Sequence, residues 1–193
     1  VIERAAAQFD RPNLQFMVGD AYALPLDDDS FDVVHAHQVL QHVSDPVAVL
    51  REMRRVAKPG GVVAAREVDY AGTFWYPRLS GLDDWSALYQ RVHRGNSGAP
   101  DAGRHLHAWA REAGFDDAST TVSVWNFASE SERAWWGGMW ADRVLQSAFA
   151  DDAVGRGYAT KADLESISRA WTTWAEHRDG WLAMPHGELI AIA

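Results

Sequence analysis

Three histidines close together, His35, His37 and His42, form the densest set of groups able to move a proton or bind a metal. Imidazole titrates near neutral pH and is a common zinc ligand, so general-base and metal chemistry are both open to it. Side chains alternate along a strand, so His35 and His37 would share one face if this stretch is extended. A His-x-His-x-Asp-His zinc pattern is not completed, because Val39 stands where the Asp would be. His42 reads either as a packed, hydrogen-bonded histidine or as a base. Asp20 follows a short apolar run, where a carboxylate either caps the turn or faces a ligand. Glu52 reads as a helix-surface partner for Arg55, one turn on. Large aromatics make up the rest of the candidate chemistry. There are ten tryptophans, eight of them after residue 100. Trp171 and Trp174 keep helical spacing and read as core. Trp75 and Tyr76 follow a strand end, and Trp135, Trp136 and Trp140 fall in a helical stretch; these five suit the wall of an apolar pocket.

Elements must place these groups. Residues 1–8 read as the tail of a helix, broken at Arg11-Pro12-Asn13. Residues 15–18 read as a short strand left through Gly19-Asp20-Ala21, followed by a turn-rich loop over 24–30. Phe31 to His37 reads as a strand buried on both faces, because Val33, Val34 and Ala36 fall on both. Asp45 can cap the next helix, with Pro46 in its first turn. Pro59-Gly60-Gly61 ends that helix before a strand at residues 62–65. Strand, helix and strand at this spacing form a βαβ unit with a parallel sheet. Further helices are expected over 84–94 and 102–113, the latter stopped by Gly114, and a strand over 120–126. Ser129-Glu130-Ser131-Glu132 is a capping box for a helix carrying Trp136, Trp140 and Val144, although Gly137-Gly138 weakens it. Thr160 opens another helix, and a last strand covers 188–193.

One run of motifs is specific. It comprises Val18-Gly19-Asp20-Ala21, Leu24-Pro25, Asp29-Ser30-Phe31-Asp32-Val33-Val34 and Val39-Leu40-Gln41-His42-Val43. Leu50-Arg51-Glu52-Met53-Arg54-Arg55-Val56 and Lys58-Pro59-Gly60-Gly61 complete it. In order and spacing it resembles the class I S-adenosylmethionine-dependent methyltransferases, closest to the ubiquinone/menaquinone-biosynthesis type and its secondary-metabolism relatives. Gly103-Arg104 with Glu112-Ala113-Gly114-Phe115 matches the helix before that family's sixth strand, and the likeness thins after Phe127. The resemblance implies a doubly wound, mostly parallel α/β sheet, Rossmann-like, with ligands at the carboxyl ends of the strands. It implies S-adenosylmethionine as cofactor. Asp20 would accept from the adenine amino group and Ala21 would offer its backbone N–H to the ring, while His37 and Gln38 would line the methionine half. His42, Trp75, Tyr76 and Trp136 are the candidate acceptor contacts. The implied reaction is in-line methyl transfer to an O, N or C nucleophile on a small organic molecule, and Trp75, Tyr76, Trp135, Trp136 and Trp140 point to a largely apolar, aromatic or polycyclic acceptor. A histidine-based zinc hydrolase and a non-catalytic methyltransferase-like scaffold are the alternatives.

Composition bounds these readings. With 193 residues, 47% of them hydrophobic and 23% charged, the chain is long enough and apolar enough for one globular domain. No apolar run approaches the roughly 20 residues that span a bilayer, and Val1 to Gln8, with no basic region followed by an apolar stretch, do not read as a signal peptide. The net charge of −9 argues against nucleic acid as partner, since such binders neutralise phosphates. Absence of cysteine excludes thiolate catalysis and suits a cytoplasmic setting. The partner expected is a small-molecule substrate, and a homodimer is compatible with the sequence. Neither the family's Gly-rich turn after its first strand nor its ribose-binding acid is found. Residues 1–193 are therefore expected to be one N-terminally incomplete domain, with 129–180 as a helical lid and about 60–80 further residues upstream.

Overall fold

The computed structural model describes residues 7–9 and 11–193. The helix tail expected over residues 1–8 lies outside these except for Ala7 and Gln8, which are helical. The short strand expected over 15–18 does not form; the segment is irregular and exposed. A strand needs a neighbour for its N–H and C=O groups, and no described strand lies beside this one.

The sheet begins with β1, Phe31–His37, and runs through helix α1, Pro46–Val56, into β2, Ala57–Val68. Helix α1 starts where the sequence directs it. The Asp45 carboxylate accepts from the Ala48 N–H at 2.9 Å, and Pro46 occupies the first turn. β1 and β2 pair in parallel, with Val34 opposite Val63 and His37 opposite Arg66. β1 is an edge strand, not the doubly buried one expected: Val33 is 60% exposed and Ala36 alone is buried. Apolar residues on both faces mark a strand suited to cover on both, but covering elements are not encoded in the strand itself.

The rest of the sheet is antiparallel. Strand β5, Trp181–Ile192, pairs with β2 on one side and with β4, Ala118–Phe127, on the other. The three-residue strand β3, Phe74–Tyr76, extends the β2 side against residues 181–183. Helix α1 and helix α3, Leu106–Ala113, cover one face of the sheet. Their Leu50, Met53, Leu106 and Ala110 pack with Val63, Ala65 and Leu189 of the strands. Gly114 ends α3 with a φ of 94°, a left-handed turn that glycine adopts without strain.

A second, helical layer holds α2, Ser80–Gly95; α4, Glu130–Gln146; α5, Ala148–Gly155; and α6, Lys161–Glu176. The capping box at Ser129 and Glu132 forms as the sequence indicates. Gly137 does not break α4; it lets α6 approach, since a Cβ there would sit 2.7 Å from the Cβ of Ala175. The centre of this layer is four tryptophans, Trp85, Trp140, Trp171 and Trp174, each at most 1% exposed. Trp85 meets both Trp140 and Trp171 edge-on at 4.8 Å, a favoured geometry for aromatic pairs. Trp171 and Trp174 are therefore core residues, as their spacing indicates.

The chain wall at the carboxyl ends of β1 and β2

β1 ends at His37, and Gln38 turns the chain away with a φ of 53°. A non-glycine residue in the left-handed region needs outside support. That support comes from β2. Glu67 is fully buried and its Oε1 accepts the N–H groups of Val39, at 2.9 Å, and Leu40, at 2.8 Å. Its Oε2 accepts from Gln41 N–H at 3.3 Å. These donors open a single 3-10 turn over Leu40–His42. Burial raises the Glu67 carboxyl above its ordinary range, against the three N–H groups that lower it. Sequence reasoning missed Glu67, because it follows Arg66 just beyond the strand expected over 62–65, where a charged pair reads as the exposed end of a strand.

Gln38 is held from β5 as well. Its side-chain Nε2 lies 3.1 Å from His186 Nε2, and His186 Nδ1 lies 3.0 Å from the Met184 carbonyl. The arrangement is consistent when Nδ1 donates to that carbonyl and Nε2 accepts from Gln38. Burial first, then Arg66, lowers His186 to about 4, so the ring is neutral near pH 7. Arg66 organises the neighbouring sheet face. It pairs with Glu188 at 3.1 Å, donates to Ser123 Oγ at 2.9 Å and meets His37 Nε2 at 3.2 Å. His37 is exposed; burial, Arg66 and His35 all lower it. His35 lies beside His37 with ring centres 6.3 Å apart, whereas His42 stacks elsewhere, on His93 at 4.9 Å. Among the described residues no group of three or more His, Cys, Asp or Glu is placed to hold a metal.

Asp20 and Ala21 sit in the loop before β1. Asp20 Oδ1 accepts from the Tyr22 N–H at 2.9 Å, an ordinary turn bond. Its Oδ2 and the Ala21 N–H have no hydrogen-bond partner among the described residues. The loop is tied down around them. The Tyr22 hydroxyl lies 3.1 Å from Ser44 Oγ and accepts from Asp45 N–H. Glu52 accepts from Leu24 N–H at 2.6 Å and pairs with Arg55 at 2.7 Å, the ion pair expected from their spacing. The Asp20–Ala21 turn is thereby docked against the segment that follows His42.

The aromatic candidates do not converge on one cavity. Trp136 is buried, stacked on Phe127 at 4.4 Å. It reaches the strand ends indirectly: it meets Trp125 edge-on at 6.3 Å, and Trp125 lies 4.4 Å from His186. Trp75 is half-buried against Trp85, while Tyr76 is exposed and its carbonyl accepts from Trp174 Nε1 at 3.1 Å. Trp135 is 62% exposed and Trp140 is in the core. Of the residues that join the helical layer to Gln38, Trp125 carried no sequence signal beyond the strand expected over 120–126, and His186 fell outside the strand expected over 188–193.

Comparison with known proteins agrees with this architecture. Residues 1–65 match the methyltransferase domain family. An uncharacterised methyltransferase of Schizosaccharomyces pombe is 34% identical over 181 residues, covering 92% of this chain and 64% of that protein. The chain thus spans less than two thirds of that relative's length. A demethylmenaquinone methyltransferase of Roseiflexus castenholzii is 53% identical over 53 residues, 28% of this chain and 22% of that protein. The solved structure of a candidate methyltransferase from Bacillus halodurans superposes with a TM-score of 0.57 at 16% identity, covering 100% of this chain and 78% of that one. The sheet with flanking helices is the Rossmann-like methyltransferase fold, and the chain is related by sequence to the methyltransferases.

Proposed function

We propose that this chain forms part of an S-adenosylmethionine-dependent methyltransferase acting on a small, largely apolar organic molecule. The observation that carries the reading is the adjacent pair at Asp20 and Ala21, an acceptor Oδ2 and a donor N–H, both without partners among the described residues. An adenine edge offers an amino donor beside a ring-nitrogen acceptor, the complement of that pair. His37 and Gln38 would line the methionine half at the end of β1. The acceptor side is assigned to His42, Trp75, Tyr76 and Trp136, with residues 129–180 as a helical lid.

S-adenosylmethionine, when bound, supplies a methyl group on a sulfonium, already a strong electrophile. The protein's own task is alignment and exclusion of water. Orientation of reacting groups can supply about 7–11 kcal/mol of a barrier. Glu67 holds the turn that carries Gln38 and His42. Burial, His93 and Arg143 lower His42, so its imidazole is neutral near pH 7 and able to accept a proton from an acceptor hydroxyl.

The test is calorimetric titration of the full-length protein with S-adenosylhomocysteine, wild type against Asp20→Ala. The loss expected is about 1–3 kcal/mol, the usual cost of stranding a polar partner. Equal affinity in the two proteins would remove Asp20 from the site, and no binding in either would remove the reading.

A further inference from the structure

A cleft of about 170 Å³ opens between α2, the α4–α5 corner and the 3-10 turn at His42. Its floor is Tyr89, Val92, His93 and Phe149, all buried. Its rim carries His42, Arg143 and Asp152. The His93 ring is fixed, with Nε2 2.7 Å from the Gln41 carbonyl, and His42 lies over it at 29° between planes. Together they offer a flat, rigid imidazole stack. Arg143 is placed over the Trp140 ring at 4.9 Å, and its guanidinium makes no ion pair or hydrogen bond among the described residues. The acid on the rim is partly engaged, since Asp152 Oδ2 accepts from Asn96 Nδ2 at 2.8 Å.

We propose that this cleft binds the acidic, single-ring end of the methyl acceptor, its ring against the His42–His93 stack and its carboxylate or phenolate on Arg143. The inference rests on the methyl-transfer reading for the word acceptor, but the binding site stands on its own geometry. Three features select that chemistry. The volume is below the roughly 300–1,000 Å³ of drug-sized sites, which admits one ring and not a polycycle. The floor is aromatic and apolar, suited to a ring face. The free guanidinium offers a planar fork of donors that matches a carboxylate. Burial lowers both His42 and His93 and Arg143 lowers them further, while the Gln41 carbonyl raises His93.

The experiment is titration of the full-length protein with 4-hydroxybenzoate and with its neutral analogue 4-hydroxybenzyl alcohol, each with S-adenosylhomocysteine present. The expected result is at least tenfold tighter binding of the acid, reduced at least tenfold by Arg143→Gln. Ala148→Trp, an exposed position at the cleft mouth, is expected to abolish binding of both compounds. Equal binding of acid and alcohol, no binding of either, or an unchanged affinity in Arg143→Gln would overturn the proposal. S-adenosylhomocysteine binding measured in the same protein separates the two ideas. Acid-selective binding without it keeps the cleft and removes the methyl-transfer reading; the converse result keeps that reading and removes the cleft.

Discussion

Glu67 is the residue whose loss has the most calculable effect on the site. It is fully buried, faces no cation among the described residues, and accepts three backbone N–H groups from the turn after β1. A hydrogen bond contributes about 0.5–1.5 kcal/mol net, and a stranded buried donor costs about 1–3 kcal/mol. Glu67→Gln keeps one carbonyl oxygen for Val39 and Leu40, but turns its NH₂ toward the Gln41 N–H. One contact is lost and two donors face each other, so the expected loss is about 1.5–3 kcal/mol. Glu67→Ala strands all three donors and leaves a void; about 3–6 kcal/mol is expected. For a chain of this size these correspond to falls in Tm of about 3–12 °C and about 6–24 °C. Differential scanning calorimetry measures both. The pH dependence adds a second check. Folding raises this carboxyl, so its stabilising contribution is complete below the ordinary value of 4.5 and is lost as pH rises through the raised value. The wild-type advantage over Glu67→Gln should therefore shrink as pH increases above 4.5. An alanine variant melting within about 2 °C of wild type would refute the claim that this carboxylate supports the turn.

Four other outcomes follow from particular contacts. His186 is lowered from 6.5 to about 4, so its contribution of about 3 kcal/mol is present above 6.5 and lost as pH falls toward 4; His186→Gln should flatten the acid limb of a urea-denaturation pH series, and an unchanged limb would contradict this. Gly138→Ala faces open space and should stabilise by about 0.5–1 kcal/mol through helix propensity, whereas Gly137→Ala meets Ala175 and the Trp171 carbonyl and should destabilise; equal signs in chemical denaturation would be wrong. Trp174→Phe should cost about 1 kcal/mol more than Trp171→Phe, because the Trp174 N–H bonds Tyr76 while the buried Trp171 N–H has no partner among the described residues; reversal of that order in urea melts would reject it. Trp136→Ala should raise the KM of the methyl acceptor more than that of the cofactor, and steady-state kinetics showing the opposite split would detach Trp136 from the acceptor side.

Local rules account for what was legible. Asp45 with Pro46, Ser129 with Glu132, and Gly114 are short-range devices whose partners lie within four residues, so the sequence states them directly. The tryptophan spacing on α4 and α6 likewise states which faces are buried. Residues 15–18 failed as a strand because pairing is a property of two segments and only one can be read at a time. The burial of β1 was overestimated for the same reason. At the candidate site, the family motif points to Asp20, His37, Gln38 and His42, while Glu67, Arg66, Trp125 and His186 carry no comparable motif. These four act across strands, at sequence separations that periodicity does not reach. Arg66 meets Glu188 only because β2 and β5 align them opposite each other.

The same pairing explains why the turn after β1 lies where it does. The apolar interior is divided. One cluster, around Leu50, Val63 and Leu189, belongs to the sheet and its covering helices; the other, around Trp85, Trp140 and Trp171, belongs to the helical layer. β2 and β5 run through both, with Ala65 and Leu189 in the first and Val68 and Met184 in the second. Between them on these strands lie Glu67, His186 and Gly187, the positions where polar groups and a missing side chain replace apolar packing. Gly187 is opposite Glu67 in the ladder and is met by the Gly103 backbone so closely that a Cβ on either would overlap the other. A side chain at this seam would push the 3-10 turn carrying Arg104 off the strands, and with it the Arg104–Asp69 ion pair at 2.5 and 2.7 Å that closes the end of β2. The polar residues that hold Gln38 thus occupy a stretch of β2 and β5 that belongs to neither cluster. A seam can hold a turn in one conformation because its geometry is set by directed hydrogen bonds, which fix angles that apolar packing leaves free.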